Sequence, residues 1–372
     1  MTQTTPDILG LAAELQRQHP ITGELRLRLG HCVIEVTTNQ SALHRQLRHY
    51  FRHYLDRVEP SATPDFRISA LDMPEPNLGV EYSDWPRDAG KQGRKDTYCD
   101  LPEGRLVRKF RTGMQFILLA DRALAVGPCL ANSNQVINLV NSQYQSWMVR
   151  RGYLVCHSAA VLRGHGAEGG LGMSGFSGAG KSTLALRLIS RGLDFVSNDR
   201  LLVGRENGGA LHMAGVPKMP RINPGTILGN EDLWPILSPE RLDAVRAMPT
   251  HELWDLEEKY DADIEQLFGT GRVRSAGRLD GFVVLSWNPR QQAPMELWRG
   301  PLRERPDLLP AIMKHPGVFH TDPEHGALPA PTTGPEPAPY LDVMGDMPVL
   351  AFSGGVDFEA AADECQAYLA AI

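Results

Sequence analysis

Residues 175–182 read Gly-Phe-Ser-Gly-Ala-Gly-Lys-Ser and complete the Walker A spacing G-x-x-x-x-G-K-[ST] of a phosphate-binding loop, or P-loop. Three glycines (Gly175, Gly178 and Gly180) let the backbone turn its N–H groups inward onto phosphate oxygens, a geometry that Cβ atoms obstruct. Lys181 adds a cation for the β- and γ-phosphates, and the Ser182 hydroxyl is a ligand type that suits Mg²⁺. Before the loop, Gly-Leu-Gly-Met can end a strand. After it, Thr183 and the apolar residues that follow start a helix whose N-terminus favours anions. Gly175, Phe176, Ser177, Gly178, Ala179, Gly180, Lys181, Ser182 and Thr183 are therefore the expected nucleoside triphosphate site, with ATP and Mg²⁺ as the implied ligands.

Such a site needs a carboxylate, and Asp199 follows Lys181 by 18 residues at the end of the strand Phe195-Val-Ser. If that strand pairs beside the one before the loop, Asp199 lies near the phosphates. There it would ligate metal or take a proton from an acceptor hydroxyl. The bland alternative is a solvated turn, since Ser-Asn-Asp is good turn chemistry. His157 sits on the strand preceding the loop strand, where an imidazole can donate to a phosphate oxygen or to the acceptor. A lone strand histidine is more often structural.

Three segments together resemble the HPr serine kinase/phosphorylase family and its paralogues, which share a nucleotide core with phosphoenolpyruvate carboxykinases. They are Cys156-His-Ser-Ala-Ala-Val, the loop with its Ser-Thr-Leu extension, and Gly192-Leu-Asp-Phe-Val-Ser-Asn-Asp-Arg. The resemblance covers about residues 155–205. It implies an α/β P-loop nucleotide-binding core of the HPr kinase/phosphoenolpyruvate carboxykinase type. It makes His157 the family's phosphate-facing histidine, and it sets Asn198-Asp199 where the family carries a tandem acidic pair. The departure at Asn198 matters, because an amide can ligate Mg²⁺ but cannot act as a general base. Either Asp199 takes that task or a loose phosphoryl transfer state tolerates a weak base. Phosphorolysis, which uses the missing acid, is placed in doubt. The family's glycine-rich signature after the acidic pair has no convincing counterpart. Length and the long N-terminal half look more like the group called HPr-kinase-related kinase B.

The elements that must hold these residues divide the 372 residues into an expected N-terminal α+β domain, 1–130, and a P-loop kinase domain, 131–372, with a Pro-rich linker at 329–339. Alternation over 24–38 predicts two strands around Gly30-His31, and a helix follows over 41–56. Phe66–Leu71 is a strand, 73–97 a long loop, and strands resume at 105–112, 115–120 and 123–126. A helix spans about 133–151. Tyr153–Leu162 reads as one buried strand, and a hairpin turns around Gly208-Gly209. Beyond Pro217 the chain reads as loops and short helices with one clear strand, 281–287, then a last strand at 349–352 and a helix at 358–370.

Composition of 42% hydrophobic and 22% charged residues describes a soluble globular chain, and a net charge of −6 gives no pull toward nucleic acid or anionic membrane. Five dispersed cysteines without a C-x-x-C pair suit a reducing compartment, and with no signal sequence the expectation is cytoplasmic. Homo-oligomerisation is compatible with the sequence.

Weaker candidates remain. Lys218 and Arg221 could clamp phosphate, although basic loops are common. The acidic stretch from Trp254 to Asp263 is a lid or, preferably, a charged surface. Lys91, Arg94, Lys95, Arg105, Arg108, Lys109 and Arg111 form a basic cluster, read as a solvated face or docking site. His49 and His53 are spaced i, i+4 with no third metal ligand in view. The leading expectation is an ATP- and Mg²⁺-dependent kinase that phosphorylates a hydroxyl, Ser or Thr of a small protein or a small-molecule acceptor. In it Asp199, His157, Lys181 and Asn198 carry the chemistry, and Ser182 and Asp199 hold the metal. The alternatives are an ATP-binding regulatory switch without transfer and a carboxykinase-like enzyme, for which no Mn²⁺ or oxaloacetate site is identifiable.

Overall fold

The computed structural model describes residues 7–55, 63–86, 94–164, 166–176, 178–206, 209–249, 252–253, 256, 258–288, 293–322, 326–327 and 335–372. It is a mixed α/β protein with more than one sheet. Contacts divide the chain into two compact units, Met1–Arg151 with His315–Gly334, and Gly152–Lys314 with Pro335–Ile372.

The first unit is built on an eight-stranded sheet. In chain order its strands are β1 (Gly23–Leu29), β2 (Cys32–Thr38), β3 (Phe66–Asp72), β4 (Ser83–Asp84), β5 (Asp96–Leu101), β6 (Gly104–Lys109), β7 (Gln115–Leu118) and β8 (Arg122–Gly127). Their spatial order is β1-β2-β3-β8-β7-β6-β5-β4. In β1 the expected alternation buries Leu25, Leu27 and Leu29, and Gly30 turns the chain at φ +61° into β2. Helix α1 (Ile8–Gln18), which the sequence reading did not foresee, is capped by Asp7 and buries Ile8, Ala12 and Leu15. Helix α2 (Ser41–Tyr50) ends before His53, which stands in a separate 3₁₀ turn, so His49 and His53 do not share a continuous α-helical face.

The boundary expected at 130 falls instead at Arg151. Helix α3 (Ser133–Val149) belongs to the first unit, where it packs on β2 and β3. Its buried amides also recruit a distant segment. Gln143 Nε2 donates to the Phe319 carbonyl (3.1 Å), Gln145 Nε2 to that of Pro316 (2.8 Å), and the Ser146 hydroxyl pairs with His320 Nδ1 (2.9 Å). Of the expected linker 329–339, residues 329–334 lie outside the described residues. Pro337–Met344 is a helix, because Pro is well tolerated in a first turn.

The basic cluster dissolves once the strands pair. β5 starts at the end of the segment 73–97 expected to be loop, and it faces β6 so that Asp96 meets Lys109 and Asp100 meets Arg105. Arg105 is fully buried. It makes two hydrogen bonds to the Asp100 carboxylate (2.6 and 2.9 Å), donates to the Val318 carbonyl and lies against the Trp85 and Tyr98 rings. Lys109 is buried beside Asp96 (2.8 Å), Arg108 pairs with Glu75 and Arg94 with Asp84. Lys91 is outside the described residues. Arg105 and Lys109 are therefore core residues rather than part of a solvated face.

The second unit has a nine-stranded sheet. Its members are β9 (Leu154–Cys156), β10 (Ser158–Leu162), β11 (Gly170–Gly175), β12 (Asp194–Ser197), β13 (Leu201–Arg205), β14 (Leu211–Gly215) and the strands Ala276–Leu285, Met295–Pro301 and Pro348–Gly354. Both faces are covered, and the residues alternate accordingly. Ala159 and Val161 of β10 turn toward helix α4 (Lys181–Ser190) and the helix Phe358–Ala371, whereas Ala160 and Leu162 turn toward Leu302, Ile312 and Met344.

Removing the buried Arg105 guanidinium leaves Asp100 and the Val318 carbonyl without their donor. Arg105→Ala is expected to cost about 3 kcal/mol in urea unfolding, in contrast to less than about 1 kcal/mol for the exposed Arg94→Ala. Equal, small losses for both would show that the buried pair does not hold this unit.

Candidate functional site

Strand β10 lies between β11 and β12 and runs antiparallel to both. Ser158 pairs with Ser174 near the end of β11, and Ala160 pairs with Ser197 at the end of β12. The condition posed from the sequence, β12 directly beside the loop strand, is not met: β12 is one strand further out. Two reversals of direction nevertheless bring the start of β10, the glycine-rich loop 175–183 and the Asn198-Asp199-Arg200 turn to the same end of the sheet.

His157 marks a break in what the sequence suggested was one strand. β9 pairs with β13 (Cys156 opposite Leu201), whereas β10 pairs with β11 and β12. At the change of partners the His157 N–H donates to the Ile312 carbonyl (2.7 Å), and its own carbonyl accepts from the Ser174 hydroxyl (3.1 Å).

The loop between β11 and α4 has the features that its glycines require. Gly178 and Gly180 have φ of +82° and +88°. A Cβ on Gly180 would meet the Phe358 ring at 2.4 Å, and one on Gly175 would meet the Leu285 carbonyl oxygen at 2.8 Å. Trp287 Nε1–H donates to the Ala179 carbonyl (2.8 Å), and Phe358 packs edge-on against Trp287, which pins the loop from behind. Helix α4 begins at Lys181, two residues earlier than expected. Lys181 Nζ donates to the carbonyls of Gly175 (2.9 Å) and Phe176 (3.5 Å). Phe176 is exposed. Ser182 stands in the first turn of α4, and the Thr183 hydroxyl is engaged with that of Thr226 (2.9 Å). Ser177 lies outside the described residues.

Around this loop the structure gathers more charge than the motif announces. Asp199 Oδ1 is 3.5 Å from His157 Nε2, and Oδ2 is 3.3 Å from Lys218 Nζ and 3.8 Å from Arg200 Nε. Burial alone would raise the Asp199 carboxyl. Lys218, Arg200 and His157 together outweigh it and hold the group below its ordinary range. Burial, reinforced by Lys181, Lys314 and Arg200 and opposed by Asp199, pushes His157 down to about 4, so its imidazole is neutral at neutral pH. Burial also lowers Lys181, with Lys314 adding to the effect and Asp199 opposing it. Lys218 and Arg200 flank the Asp199 carboxylate, Lys181 is a charge neighbour of it, and Lys314 neighbours His157 and Lys181; together these cations attract a multiply charged anion.

Lys218 entered the sequence reading only as a weak candidate. Lys314 was not singled out at all, since nothing in its sequence neighbourhood marks it. Arg221 turns away to Asp261 (3.2 Å), and Glu258 pairs with Arg241 and Tyr260. Trp254, Asp255 and Glu257 lie outside the described residues. Among the described residues no group of three or more His, Cys, Asp and Glu side chains forms a metal cluster, and no helix is long and apolar enough to cross a membrane.

The side chains fit a hard cation shared with phosphates. The buried Asn198 Oδ1 has no hydrogen-bond partner, and it neighbours the Asp199 carboxylate in the chain. With the Ser182 hydroxyl this gives an all-oxygen donor set, which suits Mg²⁺ bound by a few protein ligands and completed by substrate oxygens.

No family model and no curated protein matches the chain. Among solved structures, the HPr(Ser) kinase/phosphatase from Coxiella burnetii is similar over 56% of this chain and 91% of that one, with 13% identity and a TM-score of 0.27.

The lowered His157 pKa carries a sign. Between about pH 6.5 and 4 the unfolded chain binds a proton at this histidine that the folded chain does not, so stability falls as pH drops through that window. The Asp199 contribution is lost only at lower pH, because its carboxyl is depressed. His157→Gln is expected to flatten the stability profile between pH 6.5 and 4 in urea titrations. An unchanged slope would mean that His157 titrates as an ordinary histidine.

Proposed function

We propose that this chain is a Mg²⁺- and ATP-dependent phosphotransferase of the HPr-kinase type, transferring the γ-phosphoryl group to a hydroxyl, Ser or Thr of a small protein. The observation that carries this reading is the meeting of Lys181, Lys218, Arg200, Asp199 and the neutral His157 at the end of the sheet where the phosphate loop turns. The resemblance of residues 155–205 to that kinase family supports the choice of reaction.

In this reading ATP is the substrate and its phosphates take the loop's N–H groups and the N-terminus of α4. Asp199, Ser182 and the Asn198 amide oxygen would hold Mg²⁺, which would supply neutralisation of phosphate charge. Lys181 leaves the Gly175 and Phe176 carbonyls to meet the oxygens on which charge collects during transfer. The acceptor oxygen forms its bond to the γ-phosphorus as the bridging P–O bond to ADP breaks. The acceptor proton passes to Asp199. Held low by its cationic neighbours, Asp199 is a weak base. A loose transition state makes only a small demand on it, because little charge builds on the acceptor before bond formation. His157, neutral, can orient an acceptor hydroxyl or a phosphate oxygen through one hydrogen bond.

A second reading, an ATP-binding switch that transfers nothing, is favoured by Asn198 at the first acidic position and by the ion pairs that already occupy Asp199. Two variants separate them when assayed with radiolabelled ATP, Mg²⁺ and the small proteins encoded beside the gene. A phosphotransferase should lose nucleotide binding in Lys181→Ala. In Asp199→Ala it should keep nucleotide binding and lose transfer by about a hundredfold or more. A switch should lose binding in the first and keep partner control in the second. Wild-type protein that binds no Mg·ATP, or a Lys181→Ala variant that behaves as wild type, would sink both.

A further inference from the structure

Lys314 reaches the site from a part of the chain that carries no recognisable motif, and its backbone is fixed there at several points. The short helix Leu309–Ile312 runs directly into Met313, which forms an isolated antiparallel bridge with Cys156. On one side of that bridge the His157 N–H donates to the Ile312 carbonyl (2.7 Å), and on the other the Lys314 N–H donates to the Val155 carbonyl (3.0 Å). Cys156 and Met313 both turn into the core beneath Leu302 and Met344. Strand alternation leaves Lys314 on the opposite side. The buried Tyr340 closes the arrangement: its hydroxyl donates to the Val155 carbonyl (2.6 Å) and accepts from the Lys314 N–H (3.3 Å).

The segment that holds Lys314 is thus hydrogen-bonded to the residue at the strand break, His157, whose ring faces Asp199. Lys314 lies two residues beyond Ile312, whose carbonyl accepts the His157 N–H, and is a neighbouring charge of His157 and Lys181. Holding an ammonium beside other cations is unfavourable in the free protein, since like charges disfavour one another's charged forms. A multiply charged anion reverses that balance, and each added cation then strengthens its binding.

We propose that Lys314 is a phosphate-binding residue supplied from outside the phosphate loop, positioned by Tyr340 and the Val155 pairing so that it joins Lys181 on the triphosphate. This assignment rests on the nucleotide-site reading above and adds a residue to it. Calorimetric titration with inorganic triphosphate and Mg²⁺ tests it, because that probe omits base and ribose. Lys314→Met should bind about tenfold or more weakly and with a shallower dependence on salt, and Lys314→Arg should retain most of the affinity. Tyr340→Phe should fall between wild type and Lys314→Met. If Lys314→Met fails to fold, Lys314→Gln and Lys314→Arg decide the matter. Loss in the first with retention in the second upholds the assignment, and equal affinity in both overturns it. Wild-type affinity in a folded Lys314→Met, with binding lost in Lys181→Ala, overturns the assignment of Lys314 and leaves the nucleotide site standing. If the wild-type protein binds no triphosphate, both fall together.

Discussion

Strand β10 runs antiparallel to a neighbour on each side, and the chemistry of the second unit depends on that single arrangement. Had β10 been parallel to β11, the segment before it would emerge at the opposite end of the sheet from the glycine-rich loop, several strand residues away. Antiparallel pairing on both flanks sends the ends of β11 and β12 to the place where β10 begins. The doubly covered sheet then fixes these ends through alternating core contacts on both faces. The loop is braced in its turn by Trp287 and Phe358, which reach it from the strand edge and from the last helix. Precision at the site is therefore inherited from register, with local turn chemistry filling in the rest.

Charge is distributed around the site in a way that suits a ligand more than the free protein. Four cations and one carboxylate share the sheet end with a histidine that burial keeps neutral. Lys181 occupies two backbone carbonyls of its own loop, which satisfies its donors without adding a counter-charge. Such an arrangement costs stability in isolation and gains most from a dense polyanion, which separates it from ordinary surface ion pairing.

The parts of this site that the sequence made legible are those set by short spacing. Gly175 to Thr183 form one continuous segment, and Asp199 and His157 stand two elements away on either side, so chain order alone nearly located them. Lys314 was illegible because its place is decided by pairing with Val155 across most of the second unit's sequence. The basic run around Arg105 was misread for the same reason. Linear charge does not reveal that β5 sets Asp96 and Asp100 opposite Lys109 and Arg105. Helix α1 carried a legible signal that the sequence reading left unused, an Asp7 N-cap followed by Ile8, Ala12 and Leu15 at helical spacing. The α3 boundary was misplaced because its buried Gln143 and Gln145 read as solvent-facing until their carbonyl partners are known.

The return of residues 315–334 to the first unit has a consequence for how the chain is made. A ribosome delivers β1 to α3 first, then the larger part of the second unit, and only afterwards the carbonyls of Pro316, Val318 and Phe319 that Gln145, Arg105 and Gln143 require. The first unit, though earliest in synthesis, leaves buried donors waiting through the emergence of its successor. The second unit in turn lacks its Pro348–Gly354 strand and final helix until the very end. Neither unit is a contiguous stretch of chain, so their completion is interleaved in time.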